Sequence, residues 1–153
     1  LRFGRNGLFN YTEHTIEVGF IVGADLMIPR QVLDSVGAFD PDFFMYYEET
    51  ELCRRIAKAA YRIVSVPKAK IIHLEGKSFV NSADRERRAL ISRRIYFHKT
   101  CSQRYARIVD FNYQVLTKAT WLLYRIVGNK AKTEKFRQRK NLFDEINRVG
   151  PKP

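Results

Sequence analysis

Cysteine is scarce: among 153 residues only Cys53 and Cys101 occur, too few for a disulfide framework or a zinc site of their own. Two isolated thiols fit a reducing compartment, each as a small apolar side chain. A membrane span needs ~20 mostly apolar residues. The longest apolar stretch, Tyr113 to Val127, is broken by Gln114, Lys118 and Arg125. No G-x-G-x-x-G or Walker pattern is present, so a glycine-rich phosphate loop is excluded. Eight glycines and five prolines exclude collagen-like and low-complexity chains, and no internal repeat is visible. Nor does the chain open on Met or on a charged segment followed by an apolar one. That opening creates the expectation of a cut through a longer polypeptide.

What is present is an ordinary globular composition, 45% apolar and 29% charged, sufficient for one domain or part of a larger one. The net charge of +12 is unevenly placed. Residues 1–78 carry 10 basic and 10 acidic side chains, whereas 79–153 carry the remaining 18 and 6. Asymmetry of this kind points to a polyanionic partner, nucleic acid or an anionic membrane surface, with a solvated helical face as the plain alternative. The chain accordingly divides near residue 80. A neutral, turn-rich part spans 1–80 and a basic helical part 81–153.

Along the first part, Val18 to Val22 reads as a short buried strand that Ala24 to Ile28 extends. Pro29 suits the first turn of a brief helix, Arg30 to Val36, and Gly37 its stop. Ala38 to Tyr47 is an aromatic loop that Asp40-Pro41 holds extended or turned. A helix follows from about Thr50 to Ala60, acidic at its start and basic later, as its dipole prefers. Tyr61–Val66 and Ala69–Leu74 read as strands joined at Pro67-Lys68. Helical patterns then cover 82–100, 103–127 and 131–148, with Ser82 as a cap and Gly128-Asn129 as a break. In the middle one Val115, Leu116, Ala119, Leu122, Leu123 and Ile126 share a side. Packing on its own domain is the expectation for that side, and a basic amphipathic helix on a membrane surface is the sharper reading.

Chemistry concentrates in Phe43-Phe-Met-Tyr-Tyr-Glu-Glu-Thr-Glu-Leu-Cys-Arg-Arg55. Two adjacent carboxylates, Glu48 and Glu49, follow a run of aromatics. Each alone is explained by the helix dipole. Together with the aromatics they point to a carboxylate in a water-poor setting, where its proton affinity rises and its ion becomes a better base.

The stretch from Val22-Gly-Ala-Asp-Leu-Met-Ile-Pro-Arg through Phe39-Asp-Pro-Asp-Phe-Phe-Met-Tyr-Tyr-Glu-Glu-Thr-Glu-Leu-Cys-Arg-Arg55 resembles the C-terminal half of family 2 glycosyltransferases, especially rhamnosyltransferase-like members. Val64-Ser-Val-Pro-Lys-Ala-Lys-Ile-Ile-His-Leu-Glu-Gly-Lys-Ser78 continues the likeness, which runs in order over about residues 19–100. The resemblance implies an α/β fold, α+β when taken as a fragment: the acceptor-side part of a GT-A domain with a short sheet, followed by basic helices. It implies an inverting transferase using a nucleotide-sugar donor and a glycan or lipid-linked acceptor. Glu49 would be the general base with Glu48 beside it. His73 would meet a divalent metal, Mg²⁺ or Mn²⁺, or the diphosphate. Gly76 and Ser78 would share the binding pattern, and Gly23, Ala24 and Asp25 would lie on the acceptor side.

Three departures from the family pattern stand out. Glu49 and Glu51 occupy positions where the family has Asp, and a ~1 Å displacement costs ~10²-fold in a preorganised site. Tyr61 stands near a family glycine. The nucleotide-binding half, with its Asp-x-Asp after parallel strands, has no counterpart, so the chain alone is expected not to turn over. A cytoplasmic place, with a peripheral one on the inner face of the cell membrane as its sharper form, goes with this reading. The alternative is a non-catalytic basic module for anionic membrane or nucleic acid, the latter supported by charge alone. His14 and His98 read as surface or packing residues, and Arg93, Arg94 and Lys99 as a solvated face or contacts to headgroups. Trp121 and Tyr124 read as core packing or as markers of a membrane interface.

Overall fold

The computed structural model describes residues 12–72 and 82–149. The chain divides into two compact units, Leu1–Ser82 and Ala83–Pro153. Their described elements run, in order, β1 Ile16–Glu17, a 3-10 turn Gly23–Asp25, α1 Arg30–Val36, α2 Glu48–Lys58, β2 Val64–Ser65, α3 Ser82–Thr100, α4 Gln103–Ile126 and α5 Lys130–Val149. Helix dominates, and the one sheet among the described residues is a two-stranded antiparallel pair, Ile16 opposite Ser65 and Glu17 opposite Val64. The described part is therefore α+β, with no parallel βαβ unit.

Within the first unit, α2 supplies the central packing surface. Leu52, Cys53 and Ile56 are buried on one side of it and join Val32 of α1 and Ile63. Burying a side chain such as Leu52 is worth about 1.5–3 kcal/mol. Val18, Phe20, Ile21, Leu26 and Ile28 lie against this cluster, so the apolar run expected as a strand is used for packing instead. Only Val18 carries the ladder one bond further, donating its N–H to the Ile63 carbonyl at 3.0 Å. β2 is two residues long and offers no further partner, hence the missing strand over 18–28. Residues 69–72 are not a strand either: the Ala69 N–H bonds the Val66 carbonyl at 3.0 Å and closes a turn around Pro67-Lys68. The rest of the expected strand, 73–74, lies outside the described residues.

Helix ends follow local chemistry. Gly37 takes φ +83° and donates to the Leu33 carbonyl at 2.7 Å, ending α1 as expected. α2 closes with the Tyr61 N–H on the Ile56 carbonyl and the Ala60 N–H on the Ala57 carbonyl, at 3.2 and 3.1 Å. This is the Schellman pattern, and its left-handed position, usually glycine, is Ala60 at φ +64°. The residue under strain is thus Ala60 rather than Tyr61.

In the second unit, Leu90, Ala106, Phe143 and Ile146 are the buried apolar residues among those described. Around them runs a polar lattice between helices. Arg94 of α3 is buried, donating to Asp110 of α4 at 3.1 Å and to the Ile146 carbonyl of α5 at 2.9 Å. His98 meets the same Asp110 oxygen at 3.0 Å. Gln114 reaches Asp144, and Arg87 grips Glu145 through two nitrogens at 3.1 and 2.9 Å. Arg93 lies over the Tyr113 ring, 4.2 Å from its centroid. Arg93 and Arg94 therefore belong to the packing between helices, not to a solvated basic face, and His98 is a packing residue.

α4 departs most from expectation. Its inward face carries Asp110, Tyr113, Gln114 and Thr117, while Ile108, Phe111, Val115, Leu116, Leu122, Leu123 and Ile126 are 45% to 75% exposed. The apolar side read as packing on its own domain instead faces outward. No helix among the described residues is long and apolar enough to cross a membrane.

Candidate active site

α2 begins two residues earlier than the sequence suggested, at Glu48, and so takes Glu48, Glu49 and Glu51 into its first turn. The chain reaches this helix through two successive left-handed residues, Tyr46 at φ +69° and Tyr47 at φ +68°. Such backbone costs ~1–3 kcal/mol per non-glycine residue. It is held by an ordered loop: Asp42 donates its N–H to the Asp40 carboxylate at 3.0 Å, the Phe43 N–H bonds the Asp40 carbonyl at 3.1 Å, and Phe43 is buried. The sequence Asp40-Pro41-Asp42, which spells an Asp-x-Asp, is thus a turn. The aromatic run splits in two, Phe43 inward and Phe44 72% exposed.

Glu49 is half-buried, and Gly23 stands against it. A methyl group added to Gly23 would lie 3.7 Å from the Glu49 Cβ and 3.9 Å from its Cγ. Segment 21–25 therefore passes directly over the carboxylate's stem, and the structure brings together Gly23 and Glu49, two residues 26 positions apart. Burial raises the Glu49 carboxyl above its ordinary value of 4.5. A hydrogen bond from its own backbone N–H opposes that rise, and the negative charge of Glu48 adds to it. One turn on, burial likewise raises the Cys53 thiol, opposed by a hydrogen bond from the Ile21 backbone and assisted by Glu49. Glu48 itself keeps one buried carboxylate oxygen, Oε2, with no hydrogen-bond partner among the described residues. Ala24 and Asp25 complete the 3-10 turn beside Gly23 and are exposed.

Glu51, spaced two residues after Glu49, has a different role that residue pattern alone did not show. It is buried and accepts from Arg55 Nε through both oxygens, at 2.9 and 2.8 Å. Arg55 in turn donates to the carbonyls of Val36, Gly37 and Ala38, the last at 2.7 Å. This clamp ties the first turn of α2 to the end of α1 and fixes where Glu49 stands. The i,i+4 spacing of Glu51 and Arg55 was the available signal.

His73, Gly76 and Ser78 lie outside the described residues. Among the described residues no group of three or more His, Cys, Asp or Glu side chains could hold a metal ion. The expected divalent site is therefore not formed by these residues alone.

No family model matches the chain, and no solved structure matches it. Over 61 residues it is 38% identical to N-acetylglucosaminyl-diphospho-decaprenol L-rhamnosyltransferase of Mycobacterium tuberculosis, in strain CDC 1551 / Oshkosh and in strain ATCC 25618 / H37Rv. Part of the chain is related to a glycosyltransferase. The match covers 40% of the chain, which thus spans about 20% of the length of the curated relatives it matches.

Proposed function

We propose that the chain is the acceptor-side part of an inverting glycosyltransferase of the GT-A type, with Glu49 as its general base. The observation that carries this reading is a half-buried carboxyl, its proton affinity raised by burial, set against a residue without a side chain. The partial likeness to a rhamnosyltransferase supports sugar transfer as the reaction class.

A sugar hydroxyl is a weak nucleophile near neutral pH. As its oxygen forms the new bond to the anomeric carbon, Glu49 takes the hydroxyl proton and the bond to the departing diphosphate breaks, inverting the centre. One base suffices, and help of this kind is worth ~10²–10⁴-fold. The lack of a side chain at Gly23 would spare that hydroxyl a neighbour beside the Glu49 stem. A nucleotide-sugar would be the donor, and a glycan or lipid-linked sugar the acceptor. The described residues contribute the base and the acceptor surface.

The test is radiolabelled sugar transfer by a polypeptide joining this chain to a nucleotide-binding half. Glu49→Gln should lower kcat by ~10²–10⁴-fold with the melting temperature held or raised. Retention of activity within a few-fold in Glu49→Gln overturns the assignment.

A further inference from the structure

The second unit presents a surface the transfer chemistry does not use. α4 is apolar on the side that faces away from its own helices. Ile108, Phe111, Val115, Leu122 and Ile126 recur at intervals of three, four or seven residues and are exposed along its whole length. At 1.5 Å per residue the strip from Ile108 to Ile126 is about 27 Å long. Contiguous exposed apolar surface of this extent marks an interaction site.

Charge identifies the occupant. Arg107, Lys118 and Arg125 are spaced by 11 and 7 residues, so they stack along one edge of the strip. The helix contains a single carboxylate, Asp110, which faces inward and is paired with Arg94 and His98. A groove of about 580 Å³, lined by Val115, Lys118, Ala119, Trp121, Leu122 and Lys140, runs along the same edge. Trp121 is half-buried at this edge, its indole N–H buried and without an acceptor among the described residues and its ring beneath Arg125, 5.6 Å from the centroid. Tryptophan beside Lys and Arg on an apolar face is the composition of a helix lying in a bilayer interface. A second copy fits less well, because a two-fold pairing of α4 strips would face basic edges with no exposed α4 carboxylate to answer them.

We infer that the outward face of α4 docks on an anionic lipid bilayer, its strip at the acyl boundary and its basic edge among headgroup phosphates. This does not depend on the transfer reading. The full chain is tested by cosedimentation with vesicles of phosphatidylcholine alone or with 30% phosphatidylglycerol. Binding should favour the anionic vesicles at least tenfold and weaken between 0.05 and 0.5 M salt. The combined F111S, L122S and I126S substitutions should reduce it by about 100-fold or more. K118Q with R125Q should reduce it by about tenfold on anionic vesicles. These residues point outward, so circular dichroism should be unchanged. As a measurement needing no variant, brominated acyl chains should quench Trp121, the only tryptophan. Equal binding to neutral vesicles, no binding, or binding indifferent to both variants overturns the inference. So does a dimer or a nucleic-acid complex abolished by the same substitutions without vesicle binding.

Discussion

Glu49 and Glu51 stand two residues apart and their removal should have opposite consequences, which makes Glu51 and Arg55 the sharpest place to perturb the fold. The Glu51 carboxylate is 11% exposed and the Arg55 side chain 27% exposed. Arg55→Met keeps the aliphatic stem but deletes the bonds to both Glu51 oxygens and to three carbonyls at the end of α1. Breaking one partner of a buried ion pair costs ~3–5 kcal/mol, because the other charge is left uncompensated. Partial exposure of Arg55, and carbonyls that water can reach, bring this to about 2–4 kcal/mol. Glu51→Gln should cost somewhat less, since the amide oxygen still accepts one bond. The double variant should be less damaging than the sum, as expected for coupled partners. Cys53 gives the readout: it is fully buried in the same unit, so thiol labelling reports opening of that unit. A loss of about 2–4 kcal/mol predicts labelling faster by about 30- to 1,000-fold. If both single variants label within threefold of the parent, the clamp does not hold the unit together and the reasoning fails.

Three other outcomes are expected. Glu49→Gln removes a carboxyl whose folded proton affinity is raised, so the cost of charging it is absent below its ordinary value of 4.5 and appears as pH rises through the higher folded value. The Gln variant should therefore be more stable than the parent at pH 8 and equal to it near pH 4 in urea titrations, and the parent's acid limb of kcat/KM should lie above the ordinary glutamate range. Ala60→Gly relieves a left-handed alanine at the end of α2 and should stabilise by about 0.5–1 kcal/mol, the relief of ~1–2 kcal/mol less the flexibility of glycine, read as a higher urea midpoint. Gly23→Val projects its methyls toward the Glu49 stem and should reduce transfer at least tenfold with little change in melting temperature, whereas Gly23→Ala, at ordinary contact distance, should be milder.

The helices were legible because their signals are local. Gly37 and Gly128-Asn129 mark ends, and the acidic start of α2 is plain in the residues themselves. The strands were not, because an apolar run such as Val18 to Val22 satisfies either a ladder or a packing surface, and the two-residue β2 left it only the second. At the site, proximity of Gly23 to Glu49 depends on how segment 21–25 crosses α2, a long-range fact no spacing encodes. The division of labour among three glutamates was hidden for the same reason. Glu51 becomes structural only when Arg55 is seen to hold the end of α1.

α4 carries the more general lesson. Periodicity establishes that apolar residues share one side of a helix but not what lies against that side. In this unit the interior already has a cohesive alternative: Arg94, Asp110 and His98 satisfy one another, Gln114 meets Asp144, and Arg87 meets Glu145. A polar lattice of this kind keeps three helices together without calling on the Ile108–Ile126 strip. The strip is then surplus to folding. A row of exposed leucine, isoleucine and phenylalanine is an aggregation liability unless another surface covers it. A hydrophobic, negatively charged support is the occupant proposed for it, which is why vesicle composition, rather than stability, is the variable that separates use from accident.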